Sequence, residues 1–137
     1  MSDMELIAAA TKVRDNAYAP YSRFKVGAAL RAEDGHVYVG ANVENASYPE
    51  SCCAETSAIA AMVADGERRI AEVVVMAAES SAGDPVTPCG GCRQRLREFA
   101  AGDVKVYFCD PSGPRGVMTM DELLPRSFGP SHLGMKA

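Results

Sequence analysis

The stretch IAEVVVMAA, residues 70–78, holds three consecutive valines followed by Met76 and two alanines. A continuous apolar run of this length, rich in β-branched residues, is what a strand buried on both faces presents. Such a strand needs cover above and below, so its neighbours should supply helices. They do so by pattern. Upstream, CCAETSAIAAMVAD predicts a helix from about Cys53 to Asp65, with Gly66 as its stop. Downstream, a second helix is expected from about Gly90 to Ala101, again followed by a glycine, Gly102. The segment VKVYFC, Val104 to Cys109, reads as a further strand.

The N-terminal part fits the same plan. Residues Asp3 to Tyr18 have helical periodicity, with Leu6, Ala9, Ala10, Val13 and Ala17 on one face. Ser2 and Glu5 have capping-box spacing, and Pro20 ends the run. Phe24–Ala32 and His36–Val43 are β-prone, joined by a hairpin turn at Asp34-Gly35. ENASYPES and SSAGDPVTP read as loops and DPSGPRG as a turn. VMT is a candidate short strand, and Met120 to Leu124 a short helix stopped by Pro125. The order α-β-β-α-β-α-β-(β)-α predicts an α/β fold in one domain, 1–137, with one mixed sheet covered by helices on its faces.

Composition limits the function. The chain has 137 residues, 47% hydrophobic and 23% charged, with a net charge of −4 and a pI near 5.2. An acidic chain without tryptophan argues against a nucleic-acid partner, which would want a basic face and stacking aromatics. No segment approaches the ~18 apolar residues of a membrane span. The first residues lack the basic and apolar regions of a signal peptide, so a cytoplasmic location is expected. Five cysteines are an odd number, and a reducing compartment favours metal binding or catalysis over disulfides.

Two cysteine-bearing segments carry the chemistry. Cys89 and Cys92 stand in PCGGC, where a loop gives way to a helix. On its own this spacing fits half a zinc site, a redox pair or two packed thiols. Cys53 begins the other helix. Helix N-termini favour thiolates through their free amides and partial positive charge. Three thiolates, Cys53, Cys89 and Cys92, can hold a Zn²⁺ and leave its fourth position open, as catalytic sites do. His36, beside a hairpin turn, and His132, in the tail, are poor candidates for a fourth ligand. Glu55 stands two residues after Cys53, in the first helical turn. Water on a zinc ion is acidified to a pKa of about 7 and needs a nearby base that does not itself bind the metal. Cys52 and Cys109 read as packed thiols outside the ligand set.

Three Cys/His ligands, a non-ligand glutamate and a downstream P-C-x-x-C form the known signature of zinc deaminases, which this chain matches. The C-A-E of Cys53–Glu55 and the P-C-G-G-C of Pro88–Cys92 resemble the cytidine deaminases of the small, homotetrameric branch. YAPYSRFKVGAAL, GANVENASYPE, TPCGGCRQ and DELLPRSF resemble that family's blocks, in the same order. The resemblance implies a three-layer α/β/α fold with about five strands and one Zn²⁺ per subunit. It implies hydrolytic deamination of cytidine and deoxycytidine within pyrimidine salvage, with Glu55 moving protons. Phe24 would pack against the pyrimidine, and backbone groups at Ala54 and Cys89 would orient it. Asn42 and Glu44, alternating at a strand end, would meet a sugar hydroxyl. Ala46, Tyr48 and Phe128 would complete a neighbouring subunit's pocket in a homotetramer with shared active sites.

One departure matters. The family usually has arginine after C-A-E, where this chain has Thr56. Zn²⁺ with three thiolates carries −1, so some donor to sulfur should relieve it. Arg93, next to Cys92, or backbone amides are the candidates, with Arg93 facing solvent as the alternative. Thr56 also leaves room for another aminopyrimidine nucleoside, such as a nucleoside antibiotic, as substrate. A thiol–disulfide oxidoreductase would leave Cys53 and Glu55 without a role, and a purely structural zinc module would want a fourth protein ligand.

Overall fold

The computed structural model describes residues 4–78 and 84–135. The predicted hairpin forms as β1 (Gly27–Ala32) and β2 (Val37–Ala41), antiparallel in register Gly27 to Ala41 through Arg31 to Val37. The valine run is β3 (Ile70–Met76), antiparallel to β1 and parallel to β4 (Ala100–Asp110). A fifth strand, β5 (Gly113–Thr119), pairs antiparallel with β4, giving the order β2-β1-β3-β4-β5. The helices are α1 (Met4–Arg14), α2 (Ala54–Ala64), α3 (Gly90–Phe99) and the short α4 (Met120–Leu123). Parallel strands need a crossover, and α3 lies in the one between β3 and β4.

The sheet separates two apolar layers, and strand periodicity decides which residue goes where. Val73 and Val75 enter the larger layer with Ala58, Met62, Leu96, Met120 and Leu123. Val74 and Met76 enter the other with Leu6 and Ala10 of α1. From Val73 onward a run apolar at every position is thus required, because this half of β3 is buried on both faces, whereas Ala71 is exposed and Glu72 half-buried at its start. The result is the expected three-layer α/β/α arrangement, with α1 on one side and the remaining helices on the other.

Several boundaries differ from the sequence reading, each for a physical reason. Helix α1 stops at Arg14, before Tyr18, because Tyr18 is drawn into a bridge with Val43. Gly102 does not stop a helix. Leu96 and Ala100 are already buried, β4 begins directly after Phe99, and Gly102 lies inside the strand against the Asp121 carboxylate. The DPSGPRG turn is tighter than expected, since Gly113 already pairs with Asp110 and β5 is seven residues long. Gly66, with φ of 97°, follows α2 as expected. Helix α4 begins at a Thr119–Glu122 capping box, a signal the sequence contained. The proposed cap at Ser2 and part of the Ser80–Pro88 loop lie outside the described residues.

Helix α2 is set against the hairpin by an absence of side chain. A Cβ at Gly40 would collide with the Ala54 carbonyl, the Ala58 amide and the Ser57 Cβ. Backbone therefore lies on backbone at the helix end that begins with Cys53. At the far end, the Tyr38 hydroxyl donates to Asp65 Oδ2 at 2.6 Å. That bond, reinforced by burial, pushes the Tyr38 pKa up. Gly40→Ala overpacks this contact and should destabilise the fold by about 1–3 kcal/mol, read as a lower urea midpoint. An unchanged midpoint would mean that α2 can slide off the sheet freely.

Candidate active site

A small ladder beside the main sheet brings the site's pieces together. Just past β2, Val43 pairs in parallel with Tyr18 and antiparallel with Cys52. The Tyr18 amide donates to Asn42 O at 2.9 Å and the Glu44 amide to Tyr18 O at 2.8 Å. Val43 and Cys52 exchange amide-to-carbonyl bonds of 2.9 and 2.8 Å. These bonds put the residues before Cys53 next to the Asn42–Glu44 segment, though eight residues or more separate them in sequence.

Cys53 is the N-cap residue of α2 and Cys89 that of α3, both in extended backbone with no side-chain cap bond. Their sulfurs are thus held at helix N-termini without being consumed by capping. With Cys92 they form a cluster whose sulfurs all lie within 4.8 Å of one another. A tetrahedral zinc with Zn–S bonds of about 2.3 Å spaces its sulfurs by about 3.8 Å, so small adjustments suffice. The soft, three-sulfur donor set suits zinc. Among the described residues no other cluster of potential metal ligands occurs, and no His, Asp or Glu joins this one. The ring of His36 meets Asp34 at 2.6 Å, and that of His132 stacks on Phe128.

The thiols differ in character. Burial pushes Cys53 up, and pushes Cys92 far up with help from the Glu55 and Cys53 charges. Cys89 is held down, chiefly by the backbone N–H of Cys92. Three thiolates this close repel one another, and a divalent cation is what makes them compatible. Glu55 is 5% exposed, and burial raises its carboxyl above the ordinary range, against its own backbone amide and the Cys92 thiol, which lower it.

These groups line a cavity of about 200 Å³ with Phe24, Val26, Asn42, Ala54, Val75, Val86 and Thr87. Val75 is the end of the valine run reappearing as cavity wall; Val86 and Thr87 come from a loop whose sequence gave no hint of it. A second cavity, of about 350 Å³, is lined by Tyr21, Ser22, Glu44, Tyr48 and Ser51. Asn42 and Glu44 thus line different cavities, and both brace the segment between. Tyr48, Ala46 and Phe128 are exposed in the single chain. Phe128 does not line the thiol cavity; its carbonyl accepts from Gln94 at 2.9 Å.

Arg93 takes neither of the roles foreseen for it. Its Nε donates to Pro88 O at 2.8 Å, Nη1 to Leu123 O at 2.8 Å and Nη2 to Thr87 Oγ1 at 2.9 Å. It fastens the segment before Cys89 to the end of α4, and none of its bonds goes to sulfur. The hydroxyl at the departure site does approach sulfur, with Thr56 Oγ1 3.9 Å from Cys92 Sγ. Cys52 is exposed rather than packed, held by its backbone bridge to Val43 at the edge of the site; Cys109 is buried as expected.

A buried carboxyl and a three-sulfur cation site lining one cavity are the arrangement of a zinc hydrolase of the deaminase class. The comparisons agree with it. The family described as the cytidine and deoxycytidylate deaminase zinc-binding region matches residues 1–109, and the chain belongs to this family. It is 43% identical over 133 residues to a cytidine deaminase of Sporosarcina psychrophila, covering 97% of this chain and 96% of that one. A cytidine deaminase of Halalkalibacterium halodurans is 44% identical over 128 residues, covering 93% and 95%. The crystal structure of a cytidine deaminase from Burkholderia pseudomallei superposes with a TM-score of 0.85 at 42% identity, covering 93% of this chain and all of that one.

Thiol reactivity tests the ligand set. In the zinc-loaded protein, exposed Cys52 should react first with a thiol reagent. Cys53 and Cys89 should join it only after chelation, with Cys92 and Cys109 the slowest, as resolved by peptide mass mapping. Equal labelling of Cys53 and Cys89 with and without zinc would remove them from the ligand set.

Proposed function

We propose that the protein deaminates cytidine and deoxycytidine hydrolytically, releasing ammonia and leaving uridine and deoxyuridine. The observation that carries this reading is the buried Glu55 carboxyl beside the Cys53, Cys89 and Cys92 sulfurs at the floor of one cavity. Zinc, when held by those sulfurs, supplies Lewis-acid chemistry that makes water nucleophilic near neutral pH. Glu55 takes the water's proton and delivers it to the ring nitrogen. It then takes the proton of the hydroxyl added to the ring carbon and hands it to the amine, which leaves as ammonia while the carbonyl forms. The burial of Glu55, which raises its carboxyl above the ordinary range, favours a group that must hold a proton before handing it on.

The remaining roles follow the walls of the site. Phe24 packs against the pyrimidine, and backbone groups at Ala54 and Cys89 orient it. Asn42 and Glu44 meet a sugar hydroxyl. The Thr56 hydroxyl and the N-termini of α2 and α3, each worth roughly half a positive charge, take up part of the thiolate charge. The relatives at more than 40% identity are cytidine deaminases, which favours cytidine over another aminopyrimidine nucleoside.

A cavity of about 200 Å³ is small for a nucleoside, since ligand sites usually run ~300–1,000 Å³. Exposed Tyr48, at 70%, and Phe128, at 57%, are apolar surface that a neighbour would cover. A cytoplasmic homotetramer with shared active sites, serving pyrimidine salvage as single-domain subunits, fits both facts.

Ammonia release from cytidine by zinc-quantified protein is the direct test. Glu55→Gln should lower kcat by about 10²–10⁴-fold while zinc content stays the same. Zinc bound with no ammonia released from either nucleoside would exclude the substrate. For the assembly, sedimentation should give a mass well above that of the 14.5 kDa chain, and Phe128→Ala should raise KM. A monomer that is fully active would sink the shared site.

A further inference from the structure

Between the two cavities runs the segment Tyr21–Val26, and one hydroxyl sits at its centre. Ser22 Oγ donates to Glu44 Oε2 in a short hydrogen bond, and the same oxygen accepts from the Phe24 amide at 3.0 Å. Glu44 Oε1 accepts from the Tyr21 and Ser22 amides at 2.9 and 3.1 Å. Asn42 completes the frame: its Oδ1 accepts from the Val26 amide at 2.9 Å, and its Nδ2 donates to Phe24 O at 2.7 Å. Within this frame Arg23 has φ of 59°, a left-handed conformation that non-glycine residues adopt at a cost. An over-determined set of bonds is what holds such a residue in place.

The geometry points to Ser22 as a positioning residue that couples recognition of the sugar to recognition of the base. This rests on the reading above, in which Glu44 meets the sugar hydroxyl and Phe24 the pyrimidine. Ser22 touches neither. It fixes the carboxylate by donating to it, and fixes the start of the Phe24 backbone by accepting from it. The two recognition groups therefore keep one spacing and arrive set before substrate does. Glu44 retains acceptor capacity for a ligand, because a carboxylate offers about four lone-pair sites and three protein donors occupy it. Asn42 retains its second Nδ2 hydrogen. The frame is built by the protein and finished by the nucleoside.

A purely structural serine and a coupling serine make different predictions. Ser22 is exposed, so Ser22→Ala removes an oxygen without opening the core. KM for cytidine should rise about two- to tenfold, the scale of one lost hydrogen bond, with kcat within about twofold. With 2′,3′-dideoxycytidine, which lacks the 2′- and 3′-hydroxyls and keeps the 5′-hydroxyl, the rise in KM should be smaller, Glu44 being read as the partner of those two ring hydroxyls. Ser22→Thr keeps the hydroxyl and should restore the cytidine KM. Glu44→Gln alone and combined with Ser22→Ala should give nearly the same KM, because the two act as one unit.

The arms separate the inference from its foundation. If Glu44→Gln selectively weakens cytidine over the dideoxynucleoside while Ser22→Ala changes neither KM, the sugar reading stands and the role of Ser22 is refuted. If Glu44→Gln affects both nucleosides equally, the sugar reading fails and the coupling falls with it. Equal losses on both nucleosides in Ser22→Ala, with Glu44→Gln behaving as a sugar contact, would make Ser22 a loop brace and overturn the inference.

Discussion

Everything in the site depends on two helices starting at the same point. Helices α2 and α3 are each capped by a cysteine whose side chain is left over, and Cys92 follows one turn into α3. Three thiols in this space cannot all ionise while alone, since burial and mutual repulsion oppose it for Cys53 and Cys92. A cation reverses the sign of that problem, and the helix N-termini contribute their partial charges in the same direction. The fold's role is to force the convergence. Helix α2 packs on β1 and β2, α3 packs on β4 and against α2, and Arg93 draws the approach to Cys89 against α4.

The division of labour among the polar groups is also a matter of geometry. Glu55 is buried and lacks a cationic partner among the bonds of the described residues, which leaves its proton affinity high. Glu44 is the opposite case. The Ser22 hydroxyl and two backbone amides hold its carboxyl below the ordinary range, against partial desolvation. Of two glutamates eleven residues apart, one thus has its carboxyl pushed up because it is enclosed, and the other has its carboxyl held down because it is surrounded by donors.

The sequence carried most of this, and its failures have local causes. The period-free valine run announced a two-faced strand, and the cysteine spacing with Glu55 announced a metal centre with a base beside it. Helix ends were less legible, because tertiary pairing took Tyr18 and Ala100–Gly102 into extended structure against their local pattern. The role of Arg93 was misplaced for a related reason: adjacency to Cys92 in sequence says nothing about which way a long side chain turns, and α4 lies thirty residues further on. Ser22 escaped notice because a serine in a loop has no pattern of its own. Only the folded neighbourhood of Glu44 and Phe24 gives it meaning.

The contact of Gly40 with Ala54 and Ala58 has a consequence for how this chain can change over time. Main chain touching main chain fixes the start of α2 on the sheet, with no side-chain volume in between. When core residues elsewhere are exchanged, this contact resists displacement of the helix start that carries Cys53 and Glu55. The reacting centre is insulated from drift in the interior around it. Gly27 makes the matching contact on the other face, against the Ala10 carbonyl and Arg14 of α1, so divergence should be most restricted at these two glycine seams, one on each side of the sheet.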